Sequence, residues 1–359
     1  MSRIYAIHLL NDRSGSPFVF RQAIEALVES GNEIILYTSE SNNGFLSDIE
    51  NIEYNYISYE WNKIKIITLF NFLKVNLYIL LSLFFKIHKS DTIYINSLLP
   101  FGGAIAGKLK GCRVIYHMHE VSIKPRLLKR YLIMVANRCC NLCIHVSHFL
   151  KEELSLKIKR QVVISNSLPQ TFIDKALDNQ ALNKSDRFTI LMICSLKDFK
   201  GIPEFIRLST ELPEMRFILV LNASLNDVEK YFSNYHIPKN LYAYPSQKDV
   251  HPYYQRASVV VNLSRTNEWL ETFGMTVLEG MYYGKPCIVP TKGGASELIH
   301  DDYNGYRIDG NNIGSLKRSL MAMEEDPGLY QDLSENSLSK ASHYTPTIFK
   351  NEIVKLFNG

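Results

Sequence analysis

The sequence predicts a two-domain α/β protein built on parallel, doubly wound sheets. Three observations predict it. Apolar runs of strand length alternate with segments of helical spacing in both halves of the chain. The alternation is broken by a polar stretch without strong periodicity, DKALDNQALNKSD at 174–186, which reads as an interdomain linker. A length of 359 residues is enough for two ordinary domains. The expected boundaries are 1–172 and 187–340.

The first domain opens with a buried strand, IYAIHLL (4–10), a Gly/Ser loop, NDRSGSP (11–17), a helix over 18–30 that stops at Gly31, and a second strand, EIILYTS (33–39). The segment 64–88, IKIITLFNFLKVNLYILLSLFFKIH, has about the length of a membrane span. Asn71, Lys74 and Asn76 interrupt its middle, and a central Lys costs about 2.5–3.5 kcal/mol on insertion. A long helix, mostly buried or lying at an interface, is expected instead. Lys63, Lys65, Lys86 and Lys89 suit its attachment to an anionic leaflet. Next come a strand, TIYINS (92–97), a helix over 101–110, and the strand RVIYHMH (113–119). A basic helix around 124–138, a strand LCIHVS (142–147), a helix over 148–156 and a strand VVISNS (162–167) complete the domain.

A second series follows. Its strands are FTILMICS (188–195), RFILVLN (216–222), NLYAY (240–244), SVVVNLS (258–264) and PCIVP (286–290), with helices between them. The chain ends in an amphipathic helix, TPTIFKNEIVKLFN (345–358).

Composition narrows the class. Apolar residues make up 46% and charged residues 21%, which argues against disorder. SRIYAIHLL is too short for a secretory leader, so a cytoplasmic protein is expected. Six cysteines without framework spacing fit reduced thiols. The run RCCNLCIHVSH (138–148) lacks zinc spacing, and no metal is expected there. Neither NDRSGSP nor GGAIAG (102–107) supplies G-x-G-x-x-G, which argues against a dinucleotide-dependent dehydrogenase. Residues 1–170 hold 20 Lys+Arg against 13 Asp+Glu, whereas residues 171–359 hold 20 against 23. The basic excess lies mainly between Glu60 and Arg160. It suits an anionic partner such as phospholipid, a lipid pyrophosphate or nucleic acid, or simply a solvated helical surface.

The most informative stretch is ETFGMTVLEGMYYGKPCIVPTKGGASE, 271–297. It follows the strand 258–264 and a loop, so it lies at the C-terminal end of a strand, where open α/β sheets bind ligands. A helix is expected from about Phe273 to Tyr283, capped by Gly284. The N–H groups of Phe273, Gly274, Met275 and Thr276 then form an anion site suited to a diphosphate, and Gly274 permits close backbone approach. Glu279 lies about 8 Å deeper along the axis and can accept from both hydroxyls of a ribose. Glu271, with Thr272 beside it, can bond a sugar beyond the phosphates. Two solvated acids near a helix start are the simpler alternative.

This stretch resembles the signature of the retaining glycosyltransferases of family 4, whose pattern is Glu, seven residues, Glu, Gly-x-Pro and Gly-Gly-x-x-Glu. The resemblance is ungapped over these 27 residues and weaker elsewhere. It implies a GT-B fold: two Rossmann-like domains facing across a cleft, with the C-terminal helix 345–358 crossing back to the first domain. SLKDFKG (195–201) resembles the family's first donor-domain loop, where Lys200 takes the Lys position. Ser195 stands where the family has a diphosphate-binding Arg. Lys197 or Arg265 is a candidate for the missing charge. In the first domain, Gly15 and Ser16 resemble the loop that approaches the donor. His119 resembles the His that faces the transferred sugar, and Glu120 the acid that follows it. His117 shares a strand face with His119, so either can line the acceptor side. The resemblance implies His119, Glu271 and Lys200 as catalytic, no metal or other cofactor, and a nucleotide-sugar donor, with UDP preferred to GDP. The acceptor expected is a polyprenyl-diphosphate-linked glycan at the inner face of a bacterial membrane, as in O-antigen or capsule assembly, with no role for nucleic acid. A sugar-nucleotide epimerase of the same architecture and a non-catalytic membrane-surface module are the alternatives.

Overall fold

The computed structural model describes residues 3–60, 62, 64–178 and 187–358. The chain divides into two compact units: residues 1–166 with 347–359, and residues 167–346. The expected linker therefore lies inside the second unit. Its first part belongs to the helix Gln170–Asp178, which buries Ile173 and Ala176 at a spacing of three. Positions 179–186 of that linker, and Lys63 beside the long apolar helix, lie outside the described residues.

The first unit contains β1 (Arg3–Ile7), β2 (Glu33–Thr38), β3 (Glu53–Tyr56), β4 (Thr92–Asn96), β5 (Arg113–Met118), β6 (Leu142–His145) and β7 (Arg160–Val163). They form a parallel sheet in the order β3-β2-β1-β4-β5-β6-β7. The second unit contains β8 (Thr189–Ser195), β9 (Arg216–Asn222), β10 (Leu241–Tyr244), β11 (Val259–Val261), β12 (Cys287–Val289) and β13 (Gly305–Arg307). Their order is β10-β9-β8-β11-β12-β13, again parallel. Central strands such as β1, β5 and β8 read as nearly unbroken apolar runs because helices cover both faces. The strand order reverses direction once in each sheet, between β1 and β4 and between β8 and β11. Each reversal leaves a crevice at the strands' C-terminal ends.

Two strands escape sequence reading. β3, EYNY, is a half-exposed edge strand without an apolar run, and β13 is only Gly305–Arg307. The first helix, Gly15–Glu29, starts earlier than its apolar spacing suggests, so Gly15 and Ser16 lie in its first turn rather than in a loop. Pro17 is tolerated there because the first-turn N–H groups have no helical carbonyl to reach.

The helix Pro346–Asn358 returns the chain to the first unit. Phe349 and Ile353 enter the core formed with Phe20, Ile24 and Tyr94. The Arg113 guanidinium donates to the carbonyls of Leu356 and Phe357, caring for two acceptors that the helix end leaves open.

Of the two alternatives expected for the helix Lys65–Lys86, mostly buried or lying at an interface, the first does not hold. Phe72, Val75, Asn76, Ile79 and Leu83 make a buried stripe, but most of the helix is exposed. Only 28% of its most apolar window is buried, although its length and composition alone would let it cross a bilayer. It packs on the helix Phe101–Lys110. The Gly102 N–H donates to Asn76 Oδ1 at 2.9 Å, and a Cβ at Gly102 would fall 2.1 Å from the Asn76 carbonyl oxygen. Asn76, which interrupts the apolar run in the sequence, is thus a packing residue.

Candidate active site

The crevice between β8 and β11 gathers most of the expected donor residues. β8 ends at Ser195 and leads into 196–201, while β11 leads into 262–274. The two loops touch: Arg265 N donates to the Phe199 carbonyl at 2.8 Å. Gly201, at φ 88°, lies so close to Leu263 that a Cβ would fall 2.3 Å from its carbonyl oxygen. This contact carries Lys200 to Glu271, and the two form an ion pair. Ser264 Oγ also donates to the same Glu271 oxygen, at 3.4 Å. The Lys200 ammonium lies 4.8 Å from the centroid of the Trp269 ring, which stacks on Phe199 at 5.3 Å.

The helix behind Glu271 is shorter than expected, Met275–Tyr282, with Gly274 as its N-cap. Gly274 has φ 101°, a conformation that favours glycine, and a Cβ there would fall 2.8 Å from Ala295 Cβ. The Gly-Gly pair supports the loop from behind. Gly294 N donates to the Glu271 carbonyl at 2.6 Å, and a Cβ at Gly294 would collide with the Thr272 carbonyl oxygen at 2.0 Å. The glycines of the 271–297 stretch therefore fix where Glu271, Thr272 and Phe273 lie. Met275 and Thr276 occupy the first turn, whose N–H groups have no preceding helical carbonyls. At the C-terminal end, Gly284 at φ 62° lets Lys285 N donate back to the Gly280 carbonyl, as a glycine cap does.

Glu279 is partly buried and accepts from Tyr254 Oη at 2.5 Å. Loss of water pushes its carboxyl up to about 7, and the tyrosine hydrogen bond partly offsets that. Tyr254 is fully buried and stacks on Tyr283 at 5.6 Å. Its place behind Glu279 was not legible, because 25 residues separate the two.

Arg265 departs from expectation. Its Nε donates to Glu204 at 2.7 Å and one terminal nitrogen to Glu268 at 3.2 Å, so acids already occupy its guanidinium fork. Lys197 is solvent-exposed and Ser195 half-buried beside the strand end. The Trp269 indole N–H is buried with no partner among the described residues.

In the first unit, the crevice between β1 and β4 holds a chain of polar side chains. His8 follows β1, Asn96 ends β4, and His119 and Glu120 follow β5. Asn96 Nδ2 donates to Ser16 Oγ at 2.8 Å and lies 3.1 Å from His8 Nδ1. Ser16 is thus held by its side chain as well as by its place in the helix. Tyr94 Oη is hydrogen-bonded to His117 Nδ1 at 2.8 Å, and the His117 and His119 rings lie 4.4 Å apart. His117 is fully buried within β5, so it cannot itself line an acceptor surface; it backs His119, which retains slight exposure. Burial lowers all three histidines, His8 to about 4, His117 to about 3 and His119 well below its ordinary value, so they are neutral near pH 7. Burial also pushes Glu120 up to about 7. His119 Nε2, Glu120 Oε2 and Asn96 Oδ1 have no partner among the described residues. His8 and Asn96 were not picked out in the sequence, although each is a polar residue at the C-terminal end of an apolar strand. Among the described residues, no group of three or more His, Cys, Asp or Glu side chains is placed to hold a metal ion.

A paired Lys and Glu thus stand beside a helix start at the sheet's reversal point, and comparison with known proteins bears on the class. Residues 174–340, most of the second unit, match the family of glycosyl transferases group 1. The chain is 26% identical over 313 residues to an uncharacterized glycosyltransferase of Methanocaldococcus jannaschii, covering 81% of this chain and 84% of that protein. It is 25% identical over 187 residues to the poly(glycerol-phosphate) alpha-glucosyltransferase of Bacillus subtilis, covering 50% of this chain but only 27% of that longer protein. Anabaena HepE, solved with UDP and glucose, matches over 100% of both chains with a TM-score of 0.78 at 18% identity. At that identity the likeness speaks for the fold, which is GT-B.

Proposed function

We propose that the protein transfers a hexosyl group, with retention at the anomeric carbon, from a UDP-sugar to a glycan acceptor carried on a lipid. GDP is the second choice of base. The observation that carries this reading is the Lys200–Glu271 pair at the β8/β11 crevice, beside the N-terminus of the helix Met275–Tyr282. Lys200 and the helix N-terminus offer positive charge to the diphosphate, Glu279 an acceptor to the ribose hydroxyls, and Glu271 an acceptor to the sugar. The bond from the anomeric carbon to the β-phosphate oxygen breaks, and a bond to the acceptor hydroxyl oxygen forms on the same face. The acceptor proton passes to the departing phosphate oxygen. Lys200 and the helix N-terminus offset the charge that develops there, so the reading requires no metal.

Support for UDP comes from the complexes of HepE with UDP and with UDP-glucose. Support for a membrane-borne acceptor comes from the basic excess of the first unit, whose Glu120 would face the acceptor. Assembly of a bacterial surface polysaccharide such as O-antigen or capsule, at the inner face of the cell membrane, fits both.

The test is thermal unfolding with UDP-, GDP- and dTDP-sugars in the presence of a chelator. Ligand at one hundred times its dissociation constant adds about 2.7 kcal/mol to folding. A rise with a UDP-sugar, lost in Glu279→Ala, is expected. Flat curves from folded protein across a saturating panel would leave a non-catalytic module instead.

A further inference from the structure

We infer that the outer face of the helix Lys65–Lys86, with the neighbouring basic helix Arg126–Cys139, is a docking surface for the anionic leaflet of a lipid bilayer. The inference deepens the reading of a lipid-carried acceptor and rests on that part of it, not on the donor chemistry.

The helix Lys65–Lys86 has two apolar sides where a surface helix has one. One side, through Val75, Ile79 and Leu83, is buried in the unit. The other carries Ile66, Phe70, Leu73, Leu77, Leu81 and Phe85, between 47% and 81% exposed. Their spacing of three or four puts them in one stripe roughly 30 Å long. A solvated helix would place charge there, and a contiguous apolar surface of this kind marks an interaction site.

The surroundings select the partner. The helices Lys65–Lys86, Phe101–Lys110 and Arg126–Cys139 lie side by side in one layer, with Phe101 touching Phe72 at 5.7 Å and Tyr131 at 5.2 Å. The third helix exposes Leu127 at 77% beside Arg126 and Arg130. From Trp61 to Lys151 the sequence has fourteen Lys and Arg but only two acids, Asp91 and Glu120. Asp91 is buried and Glu120 is mostly so. An apolar stripe within an almost purely cationic surface complements a leaflet with anionic headgroups over acyl chains. It opposes a second copy of itself, because two such faces repel. Asn76 holds the buried side to Gly102, so the helix lies along the leaflet with its inner face still on the helix Phe101–Lys110.

The full chain is mixed with vesicles of phosphatidylcholine alone or of a phosphatidylcholine–phosphatidylglycerol mixture, and sedimented. Binding to the mixed vesicles is expected, with release by high salt. Phe70→Ser with Leu77→Ser should weaken it by more than roughly tenfold. Should that variant misfold, Ile66→Ser with Phe85→Ser changes the two most exposed positions, 79% and 81%, and should give the same loss. The UDP-glucose thermal shift, read on the same samples, should not move. The inference is overturned if the native chain leaves both vesicle types in the supernatant. It is also overturned if the variants sediment like the native chain, or if gel filtration shows a dimer that the same substitutions dissociate. Vesicle binding without any donor shift would leave the surface standing and remove the transferase reading.

Discussion

Lys200 and Glu271 hold each other in an ion pair, 12% and 22% exposed, within the loop pair that closes the β8/β11 crevice. A diphosphate arriving there competes with the carboxylate for the ammonium. Lys200→Ala should therefore weaken UDP binding about 10- to 100-fold, the value of one charge-assisted contact of roughly 1.5–3 kcal/mol. Glu271→Gln removes the competing charge and should leave UDP binding equal or tighter while sugar transfer falls by at least about tenfold. Calorimetric titration with UDP and single-turnover transfer separate the two effects. Native UDP affinity in Lys200→Ala would remove Lys200 from the site.

The glycines of 271–297 make a second prediction, about stability rather than binding. Gly274→Ala adds a Cβ at φ 101° within 2.8 Å of Ala295 Cβ. It should cost about 2 kcal/mol or more and lower the melting temperature by roughly 4–8 °C. Gly294→Ala, aimed at the Thr272 carbonyl oxygen, should cost more, because backbone rather than a side chain must move. Gly15→Ala meets nothing within 4 Å and lies in a helix, so it should leave the melting temperature unchanged or slightly higher. Differential scanning calorimetry orders the three variants, and an equal effect of Gly15→Ala and Gly294→Ala would refute the packing argument.

Both parallel sheets were legible because β1, β2, β4, β5, β8 and β9 are buried on both faces and read as apolar runs. β3 was not, since half-exposed EYNY carries no such signal. The local geometry of the candidate site was legible where one segment of chain builds it, as from Glu271 to Glu297. It was hidden where partners come from afar: Tyr254 behind Glu279, Asn96 on Ser16, and Glu204 on the fork of Arg265, one of two candidates for the phosphate charge. The alternation in HMHE put His117 and His119 on one face. It did not show that Tyr94 and the sheet seal His117 inside. For Lys65–Lys86 hydropathy left two alternatives, a buried helix or one lying at an interface, because it reports what prefers to be buried, not what is; the exposed outer stripe excludes the first.

In the proposed reading, where Glu279 accepts from the ribose hydroxyls, its carboxyl, held near 7, links donor binding to pH. The ribose hydroxyls need the ionised form as acceptor, and below pH 7 the free protein must first give up a proton. Donor affinity should rise from pH 6 to pH 8, by up to about tenfold per unit below pH 7, and flatten above it. Tyr254→Phe removes the hydrogen bond that lowers this carboxyl, so the midpoint should move to higher pH. Glu279→Gln should bind more weakly and lose the pH dependence. UDP titrations at several pH values read all three; a native profile that is flat from pH 6 to pH 8 would show that Glu279 does not change charge on binding.

The buried histidines of the first unit set its acid stability. His8, His117 and His145 are lowered to about 4, 3 and 4, and His119 lies well below its ordinary value. In the unfolded chain each takes a proton near pH 6.5, whereas in the folded unit each stays neutral to much lower pH. Stability from these groups is full above pH 6.5 and is lost as pH falls toward 4, at about 1.4 kcal/mol per pH unit for each histidine. Glu120 acts in the opposite sense: its raised value of about 7 favours the folded state at low pH, and that contribution fades as pH rises from 4.5 through 7. One glutamate does not balance four histidines, so the urea midpoint of the first unit's transition should fall from pH 7 to pH 5.5. His117→Gln keeps a hydrogen-bonding partner for Tyr94 but cannot take a proton, so it should make that fall shallower by about one histidine's share. A midpoint that holds or rises between pH 7 and pH 5.5 would mean that the cluster admits protons without unfolding.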